Sequence, residues 1–308
     1  MSGPVRTQDV GGDAAPSVCS VEVSPSREAE VGGHRVRRAL PQRLRRTVGP
    51  WCFADHMGPA PVTEDSGMSI GPHPHTGLQT ATWLLAGEVL HRDSVGSEQV
   101  IRPGQLNLMT AGNGVSHAEE RTGRYRGEAH GIQLWIAQPE ATRHGPPAFE
   151  HHASLPQVAY GSAEATVLVG PESSARRDTD HVGIDLVLRP GEAVLPARAD
   201  YEYALVVLEG AVSVDGAVVV PGQLAYLGLG RTELAFSSAS GSSDGARAML
   251  LGGVPFEGRV FMWWNFVARS REEVDVAYRD WQAGAERFGE TGSPLERIGA
   301  PQPPWWSS

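Results

Sequence analysis

The chain is 308 residues long, with 26 basic residues, all of them arginine, against 36 acidic ones and a formal net charge of −10. That balance excludes a general nucleic-acid binder, which needs net basic surface, and no apolar run reaches the roughly 18 residues of a membrane helix. With only Cys19 and Cys52 present, a disulfide framework is excluded as well, and a reducing cytoplasm is the expected location.

Residues 1–30 are rich in Gly, Ser, Pro and Ala without periodicity. They are expected to form a flexible leader, and they contain no apolar core of the signal-peptide kind. RVRRALPQRLRR at 35–46 carries six arginines, but its R-V-R and R-L-R alternation fits strands with one face in water better than a nucleic-acid patch. Cys52 is expected to be a small buried hydrophobe.

From about residue 80, short β-type runs alternate with Gly and Pro turns: TATWLLAG, LHRDS, EQVIRPGQLNLMTAG and HGIQLWIA. This rhythm predicts an antiparallel sandwich or barrel, here over 31–140. QPEATRHGPPAFEHHASLP breaks it with four prolines, so a linker is expected over 141–160 with His144, His151 and His152 in solvent. β-type runs then resume as ATVLVG, GIDLVLRPG, YALVVLEGAVSVDG and AVVVPGQLAYLG. They predict a second barrel over 161–290 with a hairpin at Asp215-Gly216.

One helix is expected late in that region. Ser270 and Glu273 make a capping box, Val274, Ala277, Tyr278 and Trp281 share a face, and Gly284 supplies a stop. It is expected to cover a sheet face or a domain seam. The tail, 291–308, should be irregular. Two domains also suit a length above the roughly 250–300 residues at which single cores stop growing.

The two β regions repeat one another. LLAGEVLHRDS followed by RPGQL matches VVLEGAVSVDG followed by VPGQL, aligning Gly87 with Gly210 and Pro103-Gly104 with Pro221-Gly222. A duplicated barrel is implied. His73 and His75 precede Gly87 by fourteen and twelve residues, the same offsets before Gly210 fall on Pro196 and Arg198, and no histidine follows His181. Imidazole chemistry therefore belongs to the first barrel alone.

In GPHPHTGLQT, His73 and His75 are two apart. On a strand they share a face about 6.6 Å apart, close enough to tilt onto one ion, with Pro74 marking an edge or bulged strand. In TAGNGVSHAEE, His117 and Glu119 repeat the spacing while Gly112 and Gly114 permit a tight turn. Two such strands converging in a barrel give three nitrogens and one carboxylate, with open positions suited to Fe(II) and O₂. His56, His91 and His130 are expected to be structural, with His56 and His91 as candidates for orienting a ligand.

HPHTGLQT, LHRDS, PGQLNLMTAGNGVSHAEE and HGIQLWIA, in that order, resemble the pirin family of the cupin superfamily over about 34–290. FVARSREEVDVAYRDWQAG is similar to the family's closing helix. The resemblance implies an all-β fold of two tandem cupin-type antiparallel barrels, a bicupin, with a C-terminal helix. It also implies one iron in the first barrel, held at His73, His75, His117 and Glu119. Where cupins generally place a ligand glutamate, this chain has Gln79, whose amide is expected to alter hydrogen bonding around the site.

Some pirins are similar in activity to quercetin 2,3-dioxygenases. The resemblance therefore implies a flavonol or related small aromatic substrate and O₂, with the ion, Fe(II) or another divalent transition metal, gripping a deprotonated hydroxyl and Glu119 as general base. Leu78, Leu106, Leu108 and Met109 are candidates to line the cavity, although sheet core is their first expected role. Other pirins are regulators that bind a transcription factor or metabolic enzyme, and in that reading 35–46 is a docking surface for a protein partner.

Overall fold

The computed structural model describes residues 20–64, 66–239 and 245–306. Cys19 and most of the expected leader lie outside them. Each half of the chain forms an antiparallel double-sheet barrel. In the first, a seven-stranded sheet runs in the order Ala148–His152, Leu106–Thr110, Leu78–Ala86, Gly127–Ala137, Trp51–Val62, His34–Leu40, Arg27–Val31. It is closed by a four-stranded sheet ordered Ile70–His75, Val115–Glu120, Val89–Asp93, Glu98–Ile101. The second barrel repeats this plan with Glu22–Pro25, Gln223–Gly228, Glu202–Glu209, Ala246–Gly253, His181–Leu188, Ala163–Val169 and Gln157–Tyr160 in its large sheet. Glu192–Pro196, Glu233–Ser238, Val212–Val214 and Ala217–Val219 form its small one.

The duplication extends to single hydrogen bonds. Gly104 and Gly222 both take φ near +80° to +87° after a proline, the third position of a type II turn. Each turn closes the same way: Gln105 N–H donates to Arg102 O and Gln223 N–H to Val220 O, both at 3.1 Å. The two Gln side-chain oxygens then accept from the Arg102 and Val220 N–H groups. Asp215 and Gly216 both have positive φ, as the expected hairpin requires.

Three boundaries differ from the sequence reading. Glu22–Pro25 and Arg27–Val31, read as leader, are edge strands, one in each barrel. The expected linker likewise holds Ala148–His152, paired with the first barrel, and Gln157–Tyr160, paired with the second. Edge strands bond on one side only and tolerate charge and proline, so REAEV and EVSP carry little apolar signal. His151 is half-buried, its Nδ1 lying 2.7 Å from Asn107 Oδ1. Third, only the R-V-R part of the arginine-rich run is strand, within His34–Leu40. The R-L-R part is an irregular loop with Leu44 95% exposed.

The large sheets pack face to face. Alternate residues of their central strands (Ala81, Trp83, Ile132 and Leu134 against Ala204, Val206, Met249 and Leu251) form one shared core. Strands buried on both faces read as nearly continuous apolar runs, which is why TATWLLAG and YALVVLEG stand out. Trp51 crosses this seam, its indole N–H pointing at Val182 O and Gly252 O at 3.0 and 3.2 Å.

Beyond the second barrel the chain returns to the first. A hairpin of Phe261–Trp263 and Phe266–Ala268 leads into the helix Arg271–Ala283, with Ser270 accepting from Glu273 N–H and Gly284 left-handed at the end. Glu273 departs from a full capping box, because its carboxylate accepts from Arg269 N–H and pairs with Arg143. Val274, Ala277 and Trp281 are buried against Phe266, Phe288 and Ala300, with Tyr278 half-buried beside them. The whole segment grips the first barrel: Thr76 bridges Phe266, Ile298 N–H donates to Pro72 O at 2.9 Å, and Ser116 Oγ to Phe288 O at 2.7 Å. A Cβ at Gly71 would strike Glu296 O and one at Gly77 would strike Val267 O. The helix expected with the second barrel thus packs on the first. The tail is largely irregular but closes with a 3-10 turn at Pro304–Trp306. No helix among the described residues is long and apolar enough to cross a membrane.

Candidate metal centre

Ile70–His75 is an edge strand of its sheet and pairs antiparallel with Val115–Glu120, setting His73 opposite His117 and Pro74 opposite Ser116. The edge position is what allows Pro74, which has no N–H to give the ladder. His73, His75 and His117 each bring one ring nitrogen to a common point, all within 4.8 Å of one another. Ring centroids are separated by 4.3 to 5.2 Å. The turn before His117 needs its glycine, since Gly112 has φ +53° and a Cβ there would meet Gly145 O.

Backbone carbonyls fix two of the rings. His73 Nδ1 lies 2.9 Å from Gly71 O and His75 Nδ1 3.1 Å from Asn265 O. A carbonyl only accepts, so both rings carry their proton on Nδ1 and present a bare Nε2. His75 Nε2 faces His117 Nε2 at 3.1 Å. Burial lowers all three pKa values, His73 to about 4 and the other two well below the usual histidine range. The rings are therefore neutral near pH 7, the state a ligand requires. Three convergent imidazoles fit a divalent transition metal and suit neither calcium nor magnesium.

Glu119 lines the same cavity but stands outside the compact nitrogen set. Its own strand stays in regular register, with His117 against Asp93 and Glu119 against His91, so both side chains face inward; the extra residue falls opposite, in Ile70–His75. Burial alone raises the Glu119 pKa to about 7.

The cavity is about 680 Å³ and opens beside the triad. Its walls are Phe53, Asp55 and Met57 from one strand, Gln133 and Trp135 from the next, and Trp263 and Trp264 from the C-terminal hairpin. Phe53 and Trp135 stack at 4.0 Å. Arg38 forks onto Asp55 at 2.7 and 2.8 Å and lies over the Phe53 ring. These wall residues were missed from sequence. Phe53, Asp55 and Met57 recur at period two and were open to discovery; Trp263 and Trp264 come from beyond the second barrel and carried no local signal.

Leu78, Leu106, Leu108 and Met109 are core, not cavity wall. Gln79 also differs from expectation. It shares the parity of Ala81 and Trp83, whose face meets the other barrel, and its amide donates to Thr110 Oγ1 at 3.0 Å, so it does not bond around the site. His56 and His130 pair with each other at 2.8 Å, and His130 reaches Glu209 of the second barrel, an inter-barrel tie. Cys52 is buried, and burial pushes its thiol up to about 12, which makes it inert.

Two duplicated double-sheet barrels with three convergent imidazoles in one of them define a bicupin with a metal-type centre. The chain belongs to the pirin family: residues 33–136 match the pirin domain and 183–289 the pirin C-terminal cupin domain. It is 45% identical over 288 residues to PA1205 of Pseudomonas aeruginosa, named as a candidate quercetin 2,3-dioxygenase, covering 91% of this chain and 90% of that one. A pirin-like protein of Caulobacter vibrioides is 38% identical over 274 residues, covering 85% and 93%. The crystal structure of quercetin 2,3-dioxygenase from Acinetobacter baumannii is 40% identical with a TM-score of 0.88, covering 92% and 96%.

Proposed function

We propose that the protein is a dioxygenase of quercetin-like flavonols that uses a divalent ion, iron(II) first among the candidates, held by His73, His75, His117 and Glu119. The observation that supports this most directly is the aromatic-walled cavity of about 680 Å³ opening on the three histidines. Small-molecule sites run to about 300–1,000 Å³. The similarity to the A. baumannii quercetin 2,3-dioxygenase adds weight.

When bound, the ion supplies a Lewis acid for a substrate hydroxyl and redox chemistry toward O₂. Phe53, Trp135, Trp263 and Trp264 give the cavity an aromatic wall that suits a planar ring system and excludes water from it. Glu119, buried in the wall of the same cavity, is the carboxylate placed to leave the ion and take the hydroxyl proton on one of its oxygens.

The test is anaerobic reconstitution with Fe(II) followed by oxygen uptake on quercetin. Saturable uptake is expected in the wild type, lost by about 10²-fold or more in Glu119→Ala and His117→Ala. One equivalent of bound iron with no flavonol-dependent uptake would reject the dioxygenase reading in favour of a metal-bearing regulator that binds a protein partner.

A further inference from the structure

We propose that Asp93 and His91 are a positioning pair that fixes the proton of His117 on Nδ1 and thereby aims its bare Nε2 at the metal centre. The inference rests on the reading of the triad as a metal site but not on any substrate. Val89–Asp93 runs beside Val115–Glu120 on the side away from His73 and His75. Its register sets Asp93 opposite His117 and His91 opposite Glu119. His-x-Asp on one strand and His-x-Glu on the next therefore share the barrel's inner face, and all four residues are buried.

The bonds leave little choice of proton position. Asp93 Oδ1 accepts from Val95 and Ser97 N–H, each at 2.9 Å, and Oδ2 lies 2.9 Å from His91 Nε2. Every partner of this carboxylate must donate, so His91 carries its proton on Nε2 and has a bare Nδ1. That nitrogen lies 3.4 Å from His117 Nδ1. Two bare nitrogens facing each other would repel, so His117 holds its proton there and leaves Nε2 bare. With one proton on each ring, only its position matters.

At Nε2 the relay meets the constraint from the other side. Asn265 O has already put the His75 proton on Nδ1, so the His75 and His117 Nε2 atoms converge at 3.1 Å as two lone pairs. Lone pairs so arranged repel one another and are satisfied together by a shared cation. His91 is held for this task by stacking on Phe149 at 4.5 Å, 16° from parallel. Ligand histidines ordinarily hand their second N–H straight to a carboxylate or carbonyl; here one imidazole stands between.

Asp93→Asn is the sharp test, because it keeps the shape and reverses the polarity. Its amide oxygen must stay on the Val95 and Ser97 N–H groups, which turns the amide NH₂ toward His91. His91 then moves its proton to Nδ1, and His117 moves its own to Nε2, where it blocks the ligand position. We expect Co(II) affinity, read by chelator competition, to fall about 10- to 100-fold with the metal-free melting temperature nearly unchanged. The visible d–d bands of bound Co(II) should shift. Long-range ¹H–¹⁵N spectra of the metal-free protein should show His117 protonated on Nδ1 in the wild type and on Nε2 in the variant.

His91→Phe keeps the stack on Phe149, imposes no wrong proton, and should cost less than Asp93→Asn. Wild-type affinity and an Nδ1–H His117 in Asp93→Asn would overturn the proposal, and so would His91→Phe proving the weaker binder. Should Asp93→Asn not fold, a well-folded His91→Phe with wild-type affinity and unchanged d–d bands would overturn it equally. A wild type that binds no Co(II) would instead sink the metal site itself.

Discussion

The two barrels share a strand order and opposite interiors. In the first, the paired strands Ile70–His75 and Val115–Glu120 place His73 against His117. At the same place in the second, Glu192–Pro196 and Glu233–Ser238 pair Leu195 with Leu234 and Ala193 with Phe236. All four of those residues are buried in a core with Tyr203, Leu205 and Val207. One interior holds an aromatic-walled cavity bearing the histidines; the other is filled with apolar side chains. Stability and chemistry are thus divided between halves that lean on one another through a common seam, so the first barrel need not supply its own full core.

This comparison is broken most severely by giving the second barrel the residue of the first. Leu234→His removes a buried leucine and buries an imidazole with no carbonyl or ion to meet it. It should cost about 3–5 kcal/mol in urea unfolding while bound metal stays at one equivalent. A second equivalent of metal would show that the two interiors are more alike than their packing says.

Acid should act on the seam next. His56 is lowered to about 3 by burial and by Arg37, and His181 to about 4 by burial. Both groups bind a proton more readily in the unfolded chain. Their contribution is therefore intact above about pH 6.5 and lost as pH falls toward 4, on the order of a few kcal/mol together. Melting temperatures from pH 7.5 to 4.5 test it, and His181→Phe should flatten the slope. A profile unchanged by that substitution would reject His181 as its source.

The smallest effect sharpens the comparison at Gln79. Because its amide bonds Thr110 on the inter-barrel face, Gln79→Met should change stability by no more than about 1 kcal/mol and leave Co(II) affinity as in the wild type. A change in affinity would return Gln79 to the metal.

Much of this was legible in the sequence, for identifiable reasons. Strands buried on both faces announce themselves as apolar runs, the two PGQL turns need a proline before a left-handed glycine, and His-x-His with His-x-Glu needs only the two-residue period of a strand. Edge strands such as Arg27–Val31 were lost because one-sided pairing asks little of side chains. Asp93 was passed over because its role lies in its bond to His91, which no spacing reveals. The C-terminal return was hidden because its partners, Thr76 and Pro72, lie 190 and 226 residues before Phe266 and Ile298.

That return sets an order of events during synthesis. His75 takes its orienting carbonyl from Asn265, 190 residues downstream, so a chain still on the ribosome holds the three histidines long before it holds their roof. On the metal-site reading, tight retention of an ion would belong to the finished polypeptide, after the second barrel has closed and carried the hairpin back. A chain ended after Gly253 should accordingly exchange Co(II) much faster than the full protein, and equal exchange rates would show that the roof plays no part in retaining the ion.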